Sequence, residues 1–425
     1  MRRVAITGAG TVNPLGANLA QTWAGLRSGA CGIGALEEMP DLDRLSVRIG
    51  APVRGWTSDA PPGVAALCDR SALMALQAAA EAAVMARLVL TDGTALSAGI
   101  IMGTAGGGHM AAEAAYRAVF AEGRSRVHPF TVPRLMANSS AGQIAIALGL
   151  KGPSLTVSTA CASSNHAIGL AFQMVSSGQA EVMLAGGAEA MLDFGGIKVW
   201  EALRVLSPTG CHPFAPARNG MVMGEGAAVF VLEPLEAALR RGAPVLAEIA
   251  GFGMTSDAAD MITPRAEGAV RAMRAALAGA GLASTDIGYV NAHGTGTHAN
   301  DQAEAVALAE VFGPSGVPVS ATKSAHGHLI GAAGAVELLA CLLSLNEGLI
   351  APTVGGQPAD PALGVDLVTG AARRAEVRAC LSNSFAFGGQ NAVLCLKRAQ
   401  PGPFAAETAA KAAVKPLSEM LTVIR

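Results

Sequence analysis

The sequence predicts an α/β fold with buried sheets, on three observations. Short runs rich in Val, Ile and Leu alternate with longer Ala- and Leu-rich stretches of helical spacing, the rhythm of βαβα units. Of 425 residues, 51% are apolar and 15% charged, which is ample material for a large core and no signature of disorder. Glycine supplies 52 positions, about 12% against a usual ~7%, while aromatics make up only 4%, so the core is expected to be close-packed aliphatics with backbones near one another.

In chain order, the apolar run at 2–7 reads as a strand, followed by helical patterns at 18–28 and 70–87. Strand 97–103 leads through a Gly-rich loop to a helix over 110–122, and strand 153–159 leads to a helix over 162–177. Strands 181–185, 227–233 and 244–252 follow, then helix 268–281, strand 286–292, helix 301–312, strand 317–321 and helix 331–346. Two strands, 378–384 and 391–397, close the pattern. The length suggests two or three domains, but no Ser- or Pro-rich linker or charge run divides the chain. Two closely packed halves, 1–242 and 243–398, are expected to meet near Arg241 and Gly242. A tail over 399–425 follows, in which Leu417, Met420, Leu421 and Ile424 recur at helical spacing and could dock on a surface.

Thirty Lys and Arg against thirty-two Asp and Glu leave a formal charge of -2, with no bulk electrostatic reason to bind nucleic acid or an anionic membrane. Seven cysteines, at 31, 68, 161, 211, 341, 380 and 395, include no CxxC pair, so neither a disulfide framework nor a zinc site is indicated and a reducing, cytoplasmic compartment is expected. The uncharged stretches 95–112 and 152–180 are broken by Gly, Ser, Thr and Asn and do not read as membrane spans. After Met1, Arg2 and Arg3 the apolar segment is too short for a signal peptide.

Gly8 and Gly10 invite a dinucleotide-binding reading, but Asn13 stands where GxGxxG needs its third glycine, and a tight turn is expected there instead. The strongest local signal is Ser158-Thr159-Ala160-Cys161-Ala162-Ser163-Ser164. Leu155 and Val157 are strand-like, whereas Ala167, Ile168, Ala171, Phe172 and Val175 form a helical apolar face, so Cys161 falls at a helix N-terminus. Free N–H groups and the positive dipole end favour a thiolate there, which suits a nucleophile. His293, in Asn291-Ala-His293-Gly-Thr295-Gly-Thr297, sits in a loop at the C-terminal end of a strand, where ligand sites gather. A second imidazole lies in Thr322-Lys323-Ser-Ala-His326-Gly-His328, before the Gly-rich start of the helix carrying Glu337. One nucleophile with two such histidines suggests acyl transfer with an added task for the second ring. Two rivals share these residues. A papain-like protease also places its histidine about 130–150 residues after its cysteine. A metal site could draw on His298, Asp301, His326 and His328.

With these residues assembled, the chain resembles the β-ketoacyl-acyl carrier protein synthases of the elongating type, condensing enzymes of the thiolase superfamily. The resemblance runs from Arg2 to about Arg398. It rests on Arg3-Val-Ala-Ile-Thr-Gly, Thr159-Ala-Cys161, Gly186-Gly-Ala-Glu-Ala, Gly224-Glu-Gly226, His293-Gly-Thr-Gly-Thr297, Lys323 to His328 with Gly331-Ala-Ala-Gly334, and Asn383-Ser-Phe385 with Gly388-Gly389. It implies a thiolase-like duplicated fold of five αβαβα layers, with Cys161 in the first half and both histidines in the second. It further implies that Cys161 takes an acyl chain from a carrier-protein thioester while His293 and His328 promote decarboxylation of a malonyl thioester, leading to a β-ketoacyl product in fatty acid synthesis.

Further roles are implied in the same way. Backbone N–H groups of Cys161 and Phe385 would form an oxyanion hole, Lys323 and Glu304 would pair to hold the histidine loops, and Thr295 and Thr297 would bind the pantetheine arm. Phe385, Ala386 and Phe387 would form the gate, in which alanine replaces a usual glycine. Gly106, with Phe130 or Phe194, would shape the far end of the acyl pocket. No metal or cofactor is implied beyond the phosphopantetheine arm of acyl carrier protein. A dimer is implied, either of identical chains or with a related ketosynthase-like subunit. The Cys, His, His set favours elongation over the thiolase or chain-initiating types, and Cys161 itself argues against a silent chain-length-factor or scaffold role. A type II polyketide or polyene ketosynthase with a partner subunit is the alternative. The stretch Ala215-Pro-Ala-Arg218-Asn219 departs from the family's acidic pattern, and the helix near Cys68 carries fewer basic residues than the family's docking surface, with Arg204 remaining.

Overall fold

The computed structural model describes residues 1–37, 39–313 and 316–399, together with Leu417, Glu419 and Met420. All ten expected strands are present: β1 (Val4–Val12), β2 (Ala98–Gly103), β3 (Ser154–Val157), β4 (Val182–Glu189), β5 (Gly226–Pro234), β6 (Ala247–Ser256), β7 (Tyr289–Asn291), β8 (Val319–Ser320), β9 (Ala379–Ala386) and β10 (Gln390–Lys397). They follow the order β8-β7-β9-β10-β6-β1-β5-β4-β2-β3. Numbered within each half, both sets of five run 3-2-4-5-1, with the first three neighbours parallel and the last two antiparallel. The chain is therefore a duplicated unit. The halves join where β1 and β6 pair antiparallel, Val4 opposite Ile249 and Ile6 opposite Ala247.

The principal helices are α1 (Leu19–Ser28), α2 (Arg70–Met85), α3 (His109–Tyr116), α4 (Ser139–Leu148), α5 (Ser163–Ser177), α6 (Phe194–Ala202), α7 (Ala266–Ala280), α8 (His298–Phe312), α9 (Lys323–His326) and α10 (Ala333–Glu347). α5 and α10 pack against each other and against strands of both halves, forming the middle layer. α2 and α4 cover one outer face, and α7 with α8 covers the other, giving the five-layered thiolase-like arrangement. α10 belongs to the stretch Ile330–Glu347, which is long and apolar enough to cross a membrane, but 89% of that stretch is buried within the protein. Its Leu338, Leu339, Leu342 and Leu343 are wholly enclosed in the main core.

Two expectations change. Gly8 and Gly10 do not make a turn, because β1 runs on to Val12. A Cβ at either would lie about 2 Å from a backbone oxygen of α2, at 2.0 Å from Ala82 and 2.1 Å from Ala78, so these glycines let the helix settle directly onto the strand. The helix expected over 110–122 is α-helical only to Tyr116 and widens to a π-turn over Arg117–Ala121. In the tail, Leu417 and Met420 are buried against the cluster around α2 and α4, and the Leu417 N–H donates to Asp59 at 2.9 Å. Leu421 and Ile424 lie outside the described residues.

Candidate active site

Duplication puts equivalent loops of the two halves face to face. Cys161 stands between β3 and α5, and the segment from Lys323 to His328 stands between β8 and α10, the matching position in the second half. The elbow at Cys161 is tight. Ala160 takes a left-handed φ of 47°, uncommon for a residue with a Cβ. Ser163 holds the bend, its Oγ accepting from the Thr159 N–H at 2.9 Å and donating to the Ala160 carbonyl at 2.7 Å. Cys161 thus lies just ahead of α5, as expected, with 6% of its surface exposed.

His293 follows β7. Both oxygens of Glu304, on α8, accept backbone N–H groups, from His293 and from Gly294, each at 2.8 Å, and Asn383 Nδ2 donates to the same carboxylate at 3.2 Å. Lys323 is entirely enclosed, and its Nζ reaches Glu337 Oε1 at 2.5 Å, the His293 carbonyl at 2.6 Å and His293 Nδ1 at 3.2 Å. The expected Lys323–Glu304 pair is therefore corrected to Lys323–Glu337. Glu304 is saturated by N–H donors, whereas α10 delivers Glu337 into the core beside the ammonium.

An ammonium can only donate, so His293 Nδ1 is the acceptor and Nε2 carries the hydrogen. At His328 the Ile330 N–H donates to Nδ1 at 3.1 Å, which fixes the same tautomer. His328 Nε2 has no protein partner among the described residues. Burial first, then the Lys323 charge, hold both rings well below the ordinary histidine range, so they stay neutral donors. The two rings stand edge to face, centroids 5.4 Å apart, and one nitrogen from each lies within 4.8 Å of Cys161 Sγ. A soft divalent ion could bind these three atoms, at the cost of blocking the thiol.

Burial pushes the Cys161 thiol up to about 12, against the downward pull of Lys323 and its own N–H. The depressed thiol expected at a helix N-terminus is thus not what the enclosed site produces. At neutral pH the enclosed thiol therefore keeps its proton. Glu304 and Glu337 are likewise pushed up by burial, each to about 7.

The cavity above Cys161 measures about 120 Å³ and is lined by His293, His328, Thr295, Thr297, Phe385, Ala386 and Phe387, all predicted from sequence. Thr295 and Thr297 share a 2.9 Å hydroxyl contact. Ala386 closes β9 in regular pairing with Gln390, and the left-handed turn is left to Gly388 and Gly389, so its Cβ is accommodated. Gly106, Phe130 and Phe194 do not line this cavity. Phe130 is 43% exposed, Phe194 packs with Met191 and Leu192 beneath the Arg44 guanidinium, and a Cβ on Gly106 would meet Met191 Sδ at 2.8 Å. Met191, not an aromatic ring, fills the space beside Gly106.

Sequence reasoning missed Trp200, Val205, Met221 and Ile262, which also line the cavity. Trp200 stacks on Phe387 at 5.9 Å and 23°. No local motif marks these residues, because they arrive from a helix, in the case of Trp200, and from segments that are distant in sequence. Arg218, in the divergent stretch, is buried, and its Nη1 donates to Asp360 at 2.8 Å and to the Ala215 carbonyl at 2.9 Å. The rival metal set does not assemble. His298 is exposed, Asp301 accepts the Phe214 N–H, and His326 is occupied by the Gly327 carbonyl and Thr322.

A duplicated fold that brings a cysteine of one half against two histidines of the other defines a thiolase-like condensing enzyme. Residues 1–238 match the model of the β-ketoacyl synthase N-terminal domain and residues 246–357 that of the C-terminal domain. The chain belongs to the β-ketoacyl synthase family, whose condensing, acyl-transferring chemistry serves fatty acid and polyketide synthesis. It is 43% identical over 400 residues to nodulation protein E of Rhizobium sp. (strain N33), covering 93% of this chain and 99% of that one. It is 38% identical over 408 residues to 3-oxoacyl-[acyl-carrier-protein] synthase 2 of Staphylococcus aureus (strain N315), covering 93% and 98%. Among solved structures, the ishigamide ketosynthase/chain length factor superposes with a TM-score of 0.87 at 33% identity, over 94% of this chain and 100% of the other.

Proposed function

We propose that the chain catalyses decarboxylative condensation of an acyl chain carried on Cys161 with malonyl-acyl carrier protein, releasing CO2 and a β-ketoacyl-acyl carrier protein in fatty acid synthesis. Cys161 Sγ attacks the acyl thioester, and the carrier thiol leaves with the thiol proton. The malonyl thioester carbonyl then accepts from His293 Nε2 and His328 Nε2. As the carboxylate departs as CO2, its bonding electrons form an enolate that these two N–H groups stabilise. The α-carbon attacks the acyl-cysteine carbonyl, whose oxygen is held by the backbone N–H groups of Cys161 and Phe385. Collapse of that adduct returns the thiolate, which takes up a proton. Thr295 and Thr297 hold the pantetheine arm at the cavity mouth, and Phe385, Ala386 and Phe387 gate it.

The observation that carries this reading is the shared tautomer of the two histidines, which aims two neutral N–H donors at the thiol's cavity. A general base would need a free lone pair there. Mass spectrometry of Cys161 after incubation with charged carrier proteins tests it, together with malonyl decarboxylation by Cys161→Gln. An acyl adduct on Cys161 and continued decarboxylation by the glutamine variant are expected. A folded protein that takes no acyl group would indicate a silent partner subunit and overturn the proposal.

A specialised polyene or polyketide role with a partner subunit is the second reading. It is favoured by the likeness to the ishigamide ketosynthase/chain length factor. Among the described residues, ten of the twenty exposed large apolar side chains fall between Tyr116 and Leu155, including Phe120, Phe130, Val132 and edge-strand Leu155. These exposed apolar side chains suit burial against a second chain, identical or related. The unpaired cysteines suit a cytoplasmic setting.

A further inference from the structure

A second group of ligating side chains gathers away from the thiol. α3 starts at His109, so His109 and Glu113 project from one face of that helix, one turn apart. Asp193, the N-cap of α6, comes up against them, with His109 Nε2 3.2 Å from Asp193 Oδ1. One ligating atom from each of the three lies within 4.8 Å of the others. Asp193 is only 8% exposed, and its Oδ1 already accepts the Gly196 N–H at 2.7 Å. Its Oδ2 is shielded from solvent without a hydrogen-bond partner, an unusual state for a buried carboxylate oxygen, and Asp193 Oδ1 is the one partner of His109 Nε2 among the described residues. Glu113 Oε1 receives Arg117 at 3.2 Å, but that guanidinium also serves Asp41. Glu113 Oε2 occupies space that exists only because residue 195 is glycine: a Cβ there would sit 2.1 Å from it.

We propose that His109, Glu113 and Asp193 form a binding site for a divalent cation, braced between α3 and the start of α6. One imidazole and two carboxylates, with no thiolate, suit a borderline or hard ion such as Mn2+ or Zn2+. Metal bonds of about 2.1 Å would draw the three atoms to about 3.0–3.4 Å from one another. Water from the adjoining recess of about 610 Å³, which Glu113 and Asp193 line, would complete the coordination. α6 carries Trp200 to the reactive cavity, so the ion would stiffen the element that stacks on Phe387.

Mn2+ is the probe, because it shuns the thiol at Cys161, which is alkylated beforehand. The signal of free Mn2+ in electron paramagnetic resonance counts bound ions. One ion per chain is expected. Asp193→Asn retains the cap to Gly196 and should weaken binding about tenfold or more. Gly195→Ala leaves all three ligand residues in place in the sequence, favours the helix and should weaken binding similarly by displacing the Glu113 carboxylate, while leaving thermal stability without metal equal or higher. Absence of saturable binding of Mn2+ and of Zn2+ below about 1 mM would overturn the proposal, as would binding indifferent to Gly195→Ala. Either result reduces the cluster to a His109–Asp193 ion pair.

Discussion

Replacing Lys323 separates two jobs that the structure assigns to one ammonium. Lys323 and Glu337 are both fully enclosed. Lys323→Met alone strands the carboxylate, and breaking a buried pair from one side costs about 3–5 kcal/mol. Glu337 can escape by taking up a proton, since burial already pushes it up to about 7 with the ammonium present. Keeping that proton at pH 8 on a group that ordinarily titrates near 4.5 costs about 5 kcal/mol, and less as the pH falls. The single variant should therefore lose about 3–5 kcal/mol in urea denaturation at pH 8 and markedly less at pH 6. Lys323→Met/Glu337→Met refills the volume with apolar groups and should return to within about 1.5 kcal/mol of wild type. Decarboxylation should not return. Without the ammonium at Nδ1, the His293 ring is free to move its hydrogen there and present a lone pair to the developing enolate. Loss of one such donor corresponds to about 10²–10³ in rate. The assay is CO2 release from malonyl-acyl carrier protein in a Cys161→Gln background. A double variant with both wild-type stability and wild-type decarboxylation would refute the orienting role of Lys323.

Trp200→Ala removes the stack on Phe387, worth about 0.5–1.5 kcal/mol, and should speed iodoacetamide labelling of Cys161 by uncovering the cavity mouth; an unchanged rate would show that the stack is no barrier. Gly106→Ile should lower stability by about 1–3 kcal/mol through its clash with Met191, with Met191→Ala restoring it in the double variant; equal stability of the single variant and wild type would show that Met191 yields freely. Glu81 is buried, accepts the N–H groups of Thr11 and Leu19 and is pushed up to about 8, so the folded chain holds its proton where the unfolded chain has released it. Its contribution is complete below about 4.5 and lost as pH rises through about 8, so the stability of Glu81→Gln relative to wild type should climb over that interval at up to about 1.4 kcal/mol per pH unit, and a pH-independent difference would show that Glu81 does not titrate there.

The local chemistry was written in the sequence. Periodicity found every main strand, Cys161 fell at a helix start because strand and helix patterns abut at Thr159, and the Gly/Thr loops marked both histidines. Those signals act over a few residues and survive without knowledge of the rest of the chain. What only the tertiary structure decided were the long-range choices. Glu337 rather than Glu304 meets Lys323, because both carboxylates lie in the core and only packing of α10 selects between them. Gly8 and Gly10 serve a helix packed about 2 Å from a would-be Cβ rather than a turn, which no property of a glycine in isolation reveals. Met191, not Phe130 or Phe194, fills the space at Gly106, and Trp200 reaches the cavity from a helix that carries no motif. The direction of the Cys161 thiol turned on the same distinction. A helix N-terminus is legible in sequence, but burial depends on every layer packed around it, and in this fold burial is the larger effect.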